Sequence, residues 1–152
     1  MDNFSLSVQY GVDAPTLPRW RFRRWVAATL KQAPLPKGCK RVELGLRLVE
    51  ADEGRMLNHQ FRDKDYATNV LTFEYGLTPD GTLTADIVLC LPVLLAEAKT
   101  QSKTPLHHAA HLTVHGVLHA LGFDHIDDDQ ARTMESLETA ILARLGIADP
   151  YA

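Results

Sequence analysis

Three histidines carry the most readable chemistry in this sequence: His115, His119 and His125, in the stretch HGVLHALGFDH. On an α-helix, residues four apart differ by roughly 40° in direction and about 6 Å in height, so His115 and His119 project from one face on successive turns. They can grip one ion. If the helix continued, His125 would point roughly 240° away from His119. Gly122 resolves the conflict, because without a Cβ it accepts the left-handed conformation common just past a helix end, and the chain can swing back to the same ion. His115 and His119 alone would fit an ordinary helix face. With the glycine and the third histidine the pattern becomes H-x3-H-x2-G-x2-H, the metzincin spacing. Three imidazoles with an open fourth position suit a catalytic Zn2+, one per chain, whereas a closed set of four would be structural.

A zinc peptidase of this spacing places a glutamate directly after its first histidine, to take a proton from water and pass it to the leaving amine. Gly116 stands there instead. Zinc still lowers the pKa of its bound water to roughly 7, but amide cleavage loses its proton shuttle. A phosphodiester has a better leaving group and mainly needs the charge on its nonbridging oxygens neutralised, which a metal and an arginine can do. Three classes follow from these residues: an RNA hydrolase using zinc-activated water, a metzincin-like zinc peptidase or amidohydrolase, and a noncatalytic RNA-binding module.

Neighbouring residues each have more than one reading. His111 lies one turn before His115 on the same face, as a fourth metal contact, a proton shuttle or a packed histidine supporting the ligands. Asp124 adjoins the last ligand, where it orients an imidazole, receives a proton from zinc-bound water or stabilises the turn. The run RWRFRRW interleaves Arg21 and Arg24 with Trp20, Phe22 and Trp25. Such a mixture binds phosphates and stacks on unpaired bases, or forms an amphipathic helix with Phe22 and Trp25 in the core.

The elements that must position these groups follow from periodicity. FSLSVQY and RVELGLRLV alternate apolar and polar residues and predict strands; VLTFEY predicts another, and the nearly all-apolar DIVLCLPV one covered on both faces and stopped by Pro92. A helix is expected through TLPRWRFRRWVAATLKQ, capped by Thr16 with Pro18 in its first turn. A second spans about Asp52 to Phe61, with Met56, Leu57 and Phe61 inward. RDKDYATN is polar and unperiodic, a loop opened by Arg62. Helices then run from about Leu94 to Lys103, Leu106 to Leu121 and Asp128 to Leu145, the last with a capping box from Asp127 and Gln130 and ended by Gly146. The sum is an α+β fold, a single domain over residues 1–152 with a mixed sheet of about four strands, five or six helices and a zincin-like site of three histidines.

Composition sets the frame. The chain has 152 residues, 45% hydrophobic and 23% charged, which fits one domain able to bury a core without a structural metal. Cys39 and Cys90 lie far apart and read as reduced fillers. There is no leader-like N-terminus and no membrane-length apolar run, so a cytoplasmic location is expected. Net charge is −3, against a generic nucleic-acid binder, yet through Arg62 there are 11 Lys and Arg to 6 Asp and Glu, which makes the N-terminal part basic.

Taken together, HLTVHGVLHALGFDH resembles the signature H-G-x-L-H-x-x-G-[YF]-D-H of the YbeY family of metal-dependent endoribonucleases. LNHQFRDKDYATNVLTF is similar to that family's L-N-x-x-[FY]-R-x-K-D-x-x-T-[DN]-V-L-[ST]-F, and ADIVLC to its G-D-I-x-[IL]-[CS]. The resemblance covers about Asp52 to Gly146. It implies that His115, His119 and His125 hold zinc, with Arg62 and His115 catalytic and Arg62 and Lys64 meeting RNA; Arg21 and Arg24 join these as RNA contacts on the reading of the basic, aromatic run alone. It further implies a single-strand-specific endoribonuclease of ribosomal RNA, at the 16S 3′ end, and of ribosome quality control, with the small ribosomal subunit as partner. The sequence departs from the family at Ala120, Ala67, Asn69, Glu74 and Ala85, which bears on loop geometry and not on the ligands.

Overall fold

Alternating apolar residues in the computed structural model, which describes residues 3–152, build four strands: β1 (Phe4–Tyr10), β2 (Arg41–Val49), β3 (Val70–Leu77) and β4 (Thr82–Cys90). Five helices join them among the described residues: α1 (Arg19–Gln32), α2 (Ala51–Arg62), α3 (Leu91–Thr100), α4 (Pro105–Ala120) and α5 (Asp128–Arg144). The strands form one sheet in the order β1-β2-β4-β3. β1, β2 and β4 are parallel, and β3 runs antiparallel to β4 at the edge. The expected α+β architecture with a mixed four-stranded sheet is the one observed.

Register puts the apolar sets on one face. Leu44, Leu46 and Leu48 of β2 stand beside Ala85, Ile87 and Leu89 of β4, and Leu6 and Val8 of β1 beside Leu44 and Leu46. That face packs under Phe22, Trp25 and Val26 of α1, Val114 and Val117 of α4, and Ile141 of α5. Each fully buried side chain of this size contributes about 1.5–3 kcal/mol. The opposite face is thinner, with Val49, Leu71, Val88 and Cys90 covered by Leu57 and Val93. β4 is therefore buried on both faces as expected, except at exposed Asp86.

Several local expectations are corrected. Pro18 rather than Thr16 occupies the α1 N-cap, without a side-chain hydrogen bond, because the helix starts at Arg19. Pro92 does not stop β4; the strand ends at Cys90 and Pro92 sits in the first turn of α3, where its missing N–H costs nothing. Met56 and Phe61 are not inward but 56% and 55% exposed. The α2 face against the sheet passes through Gly54 and Asn58, and Phe61 lies at the edge against Phe73, ring centroids 5.3 Å apart. Arg62 is the last residue of α2 rather than the first of the loop.

Helix α4 approaches β4 so closely that position 116 has no room for a side chain. A Cβ there would lie 2.9 Å from Cγ2 of Ile87. The glycine that replaces a peptidase glutamate thus faces the sheet, and its carbonyl is 3.4 Å from the Thr72 hydroxyl. Gly116→Glu is expected to lose about 2 kcal/mol or more of stability, through overpacking and a buried carboxylate, and to gain no peptidase activity. Urea denaturation and a casein assay check both; unchanged stability would contradict the close approach.

Candidate metal centre

The helix that carries the first two histidines ends where the glycine predicts. α4 stops at Ala120, and Gly122 has φ of 101°. The Gly122 N–H donates to the His119 carbonyl (2.9 Å) and the Phe123 N–H to the Leu118 carbonyl (3.0 Å), the paired bonds of a Schellman motif. Phe123 packs on the core beside this turn. The chain then reverses, and the Asp124 carboxylate accepts the His125 N–H at 2.8 Å. Asp124 lies 3.9 Å from Nδ1 of His125, too far for a hydrogen bond, so its observed contact is with the backbone.

This turn brings His125 to the other two. One ring nitrogen from each of His115, His119 and His125 lies within 4.8 Å of the others. Nε2 of His115 and Nε2 of His119 are 3.1 Å apart. Two ligands on one tetrahedral zinc at the usual bond length stand roughly 3.3 Å apart, so the donor set fits such an ion. The His119 imidazole is held down to about 4 by burial and by His115 and His125, which keeps it neutral and able to coordinate.

A residue that periodicity alone did not single out completes the arrangement. Glu138 of α5 is fully buried. Its Oε1 lies 2.5 Å from Nδ1 of His115, and its Oε2 2.9 Å from Nε2 of His111 and within hydrogen-bond reach of the Tyr151 hydroxyl. Burial alone would raise this carboxyl, but the bonds from His111, His115 and Tyr151 outweigh it and hold it at about 2. Burial and the adjacent carboxylate push the Tyr151 hydroxyl well above its ordinary value. A signal existed in the sequence: Glu138 falls between Met134 and Ile141 on the apolar stripe of α5, where a lone carboxylate needs a partner.

The remaining predicted residues separate into two groups. Arg62 lines a cleft of about 520 Å³ with His115, His119, His125, Asp124 and Thr72. Its guanidinium donates to the Thr72 carbonyl at 2.6 Å and lies 5.4 Å from the Phe73 ring centroid. The left-handed Asp63 ends α2, and Asn58 ties the following loop by donating to the Tyr66 carbonyl at 2.8 Å. Lys64 is exposed on that loop, outside the cleft lining. Arg21 and Arg24 are on α1 and do not line the cleft; Arg21 lies over the Trp20 ring at 4.5 Å. His111 is not among the three convergent imidazoles and instead meets Glu138.

The sequence departures have physical counterparts. Asn69 donates to Glu97 at 3.0 Å, and Glu97 also meets Nε2 of His108 at 2.9 Å. An aspartate at position 69 would set two carboxylates against each other, whereas the amide supplies a donor. Glu74 lines the cleft, Ala67 packs on the smaller core and Ala85 is fully buried.

A mixed α+β sheet that presents three convergent imidazoles in an open cleft defines a class of protein whose three-histidine cluster could hold a metal. Comparison with known proteins narrows this. The family described as Endoribonuclease YbeY matches residues 11–146. The chain is 64% identical over 149 residues to Endoribonuclease YbeY of Bordetella pertussis (strain Tohama I), an alignment spanning 97% of this chain and 95% of the relative. With Endoribonuclease YbeY of Thiobacillus denitrificans it shares 48% over 147 residues, 96% of this chain and 95% of the relative. A solution structure from Thermotoga maritima has the same fold, with a TM-score of 0.59 at 20% identity over 93% of this chain and 91% of that one. The chain belongs to the YbeY family of endoribonucleases, as the resemblance in its sequence implied. No helix among the described residues is long and apolar enough to cross a membrane.

Purified protein is expected to carry about one equivalent of divalent metal by elemental analysis, and His119→Ala to lose it while keeping its far-UV circular dichroism. Full retention of metal by that variant would remove His119 from the ligand set.

Proposed function

We propose that this chain is a single-strand-specific, zinc-dependent endoribonuclease that acts in ribosomal RNA processing, at the 16S 3′ end, and in ribosome quality control. It works in the cytoplasm on ribosomal RNA and the small ribosomal subunit, with residues 1–152 as one catalytic domain. The observation that carries this reading is a single cleft shared by three convergent imidazoles and Arg62, with no carboxylate at position 116. Family membership supports RNA as the substrate class.

A zinc ion held there supplies Lewis acidity and a lowered pKa for water. His115, His119 and His125 would hold it at the side of the cleft that they line. Arg62 is exposed at the rim, and a guanidinium has five donors, so its bond to the Thr72 carbonyl leaves others to meet a phosphate. Its role is to neutralise charge that grows on the phosphoryl oxygens. Lys64, on the adjoining loop, meets a flanking phosphate, and Arg21 and Arg24 on α1 contact RNA beyond the cleft. Asp124 keeps the turn that presents His125. Position 116 supplies no base for the ribose 2′-OH, and in this reading water is the nucleophile.

Metal-loaded protein is expected to cut single-stranded RNA, to leave casein intact and to lose activity on chelation. Its initial products should carry no 2′,3′-cyclic phosphate, read by end-group analysis. Arg62→Ala should retain the metal and lose on the order of 100-fold in rate, the scale of one transition-state donor. Cyclic-phosphate ends would make the 2′-OH the nucleophile, and near-normal activity of the Arg62 variant would take that residue out of the reaction.

A further inference from the structure

We propose that Glu138 is a positioning residue of the metal centre: its buried carboxylate, braced by His111 and Tyr151, fixes His115 in the Nδ1–H tautomer with Nε2 turned toward His119 and His125. The inference rests on the reading of those three histidines as ligands.

A buried charge is costly. A carboxylate with no solvent exposure, on a helix stripe otherwise made of Met134, Ile141 and Leu142, would be displaced by an apolar residue unless something compensated it. The compensation is directional. Oε1 serves His115 alone, while Oε2 takes both His111 and the Tyr151 hydroxyl. The carboxylate is thus gripped on one oxygen and free to aim the other.

An ionised carboxylate only accepts hydrogen bonds, so Nδ1 of His115 is the donor, and in the neutral imidazole Nε2 then keeps its lone pair. That Nε2 lies 3.1 Å from Nε2 of His119. The same bond stops rotation of the His115 ring, and supports of this kind typically change metal affinity by roughly 10- to 100-fold when removed.

Tyr151 is held in turn by the segment after α5. The Asp149 carboxylate accepts the Tyr151 N–H at 2.8 Å, and the Thr139 hydroxyl lies 3.4 Å from it. The Tyr151 ring meets His111 edge-on, centroids 5.4 Å apart. The post-helix segment is therefore linked to His115 through the Glu138 carboxylate.

Two measurements on the full chain test this. In metal-free protein, 15N–1H spectra of the imidazoles should show His115 as the Nδ1–H tautomer; an Nε2–H tautomer in the unaltered protein overturns the proposal whatever the variants do. In competition with a chromophoric chelator, Glu138→Gln should bind Zn2+ on the order of 10- to 100-fold more weakly, with the His115 resonances moving toward a tautomer mixture. Unchanged affinity and tautomer, with only the melting temperature lowered, would make Glu138 a packing residue and overturn the proposal. If Glu138→Gln does not fold, Tyr151→Phe takes its place, with a several-fold loss of Zn2+ affinity expected and no loss overturning the proposal. Failure of the unaltered protein to bind zinc would sink the metal-centre reading itself, and the tautomer in metal-free protein would still decide the part played by Glu138.

Discussion

Helix α4 has almost no solvent side, and the rest of the molecule is arranged around that burial. Ala109, Ala110, Val114, Val117 and Leu118 are fully buried, and Gly116 lets the helix axis come within side-chain contact of Ile87 on β4. An approach this close sets the rotation of the helix about its axis, because any other face would drive a side chain into the sheet. With the rotation set, His108, His111, His115 and His119 follow one another along a single edge. That edge is the one that faces the cleft, α3 and α5. The direction of the imidazoles is thus a consequence of how α4 is packed.

The polar groups along that edge are satisfied from different elements. Glu97 of α3 meets His108, and Glu138 of α5 meets His111 and His115. Only His115 and His119 meet no carboxylate through Nε2, and those are the nitrogens that converge. In a low-dielectric setting an unpaired buried charge is costly, so each carboxylate fixes which ring nitrogen donates. What remains is a cluster of ring nitrogens within 4.8 Å of one another that could hold a metal ion.

The cleft opposite the histidines is built from the edge strand. β3 is antiparallel and terminal in the sheet, so its Thr72 carbonyl is open to the Arg62 guanidinium and its Thr72 hydroxyl faces α4. α2 delivers Arg62 from its last turn, where the left-handed Asp63 ends the helix. Arginine and ligands thus reach one cleft from elements far apart in sequence, and the glutamate of a peptidase has no place in it because position 116 faces the sheet.

Much of this was legible in the sequence, for local reasons. Period-two alternation located the strands, and His115, His119, Gly122 and His125 announced a turn whose geometry depends on a few consecutive residues. The Asp127 cap formed as predicted, accepting the Gln130 N–H at 2.8 Å, although the Gln130 side chain reaches back to Ile126 instead of Asp127. The inward placement of Met56 and Phe61 failed because amphipathic periodicity does not tell how much sheet a helix covers. Glu138 and Tyr151 were missed because their partners lie 23 and 40 residues away, at His115 and His111. Helix periodicity and glycine conformation are properties of the local chain, so sequence determined the candidate ligands and the turn between them. Which nitrogen of His115 faces His119, and why a glycine occupies position 116, depend on contacts with α5 and β4, and only the tertiary structure decided them.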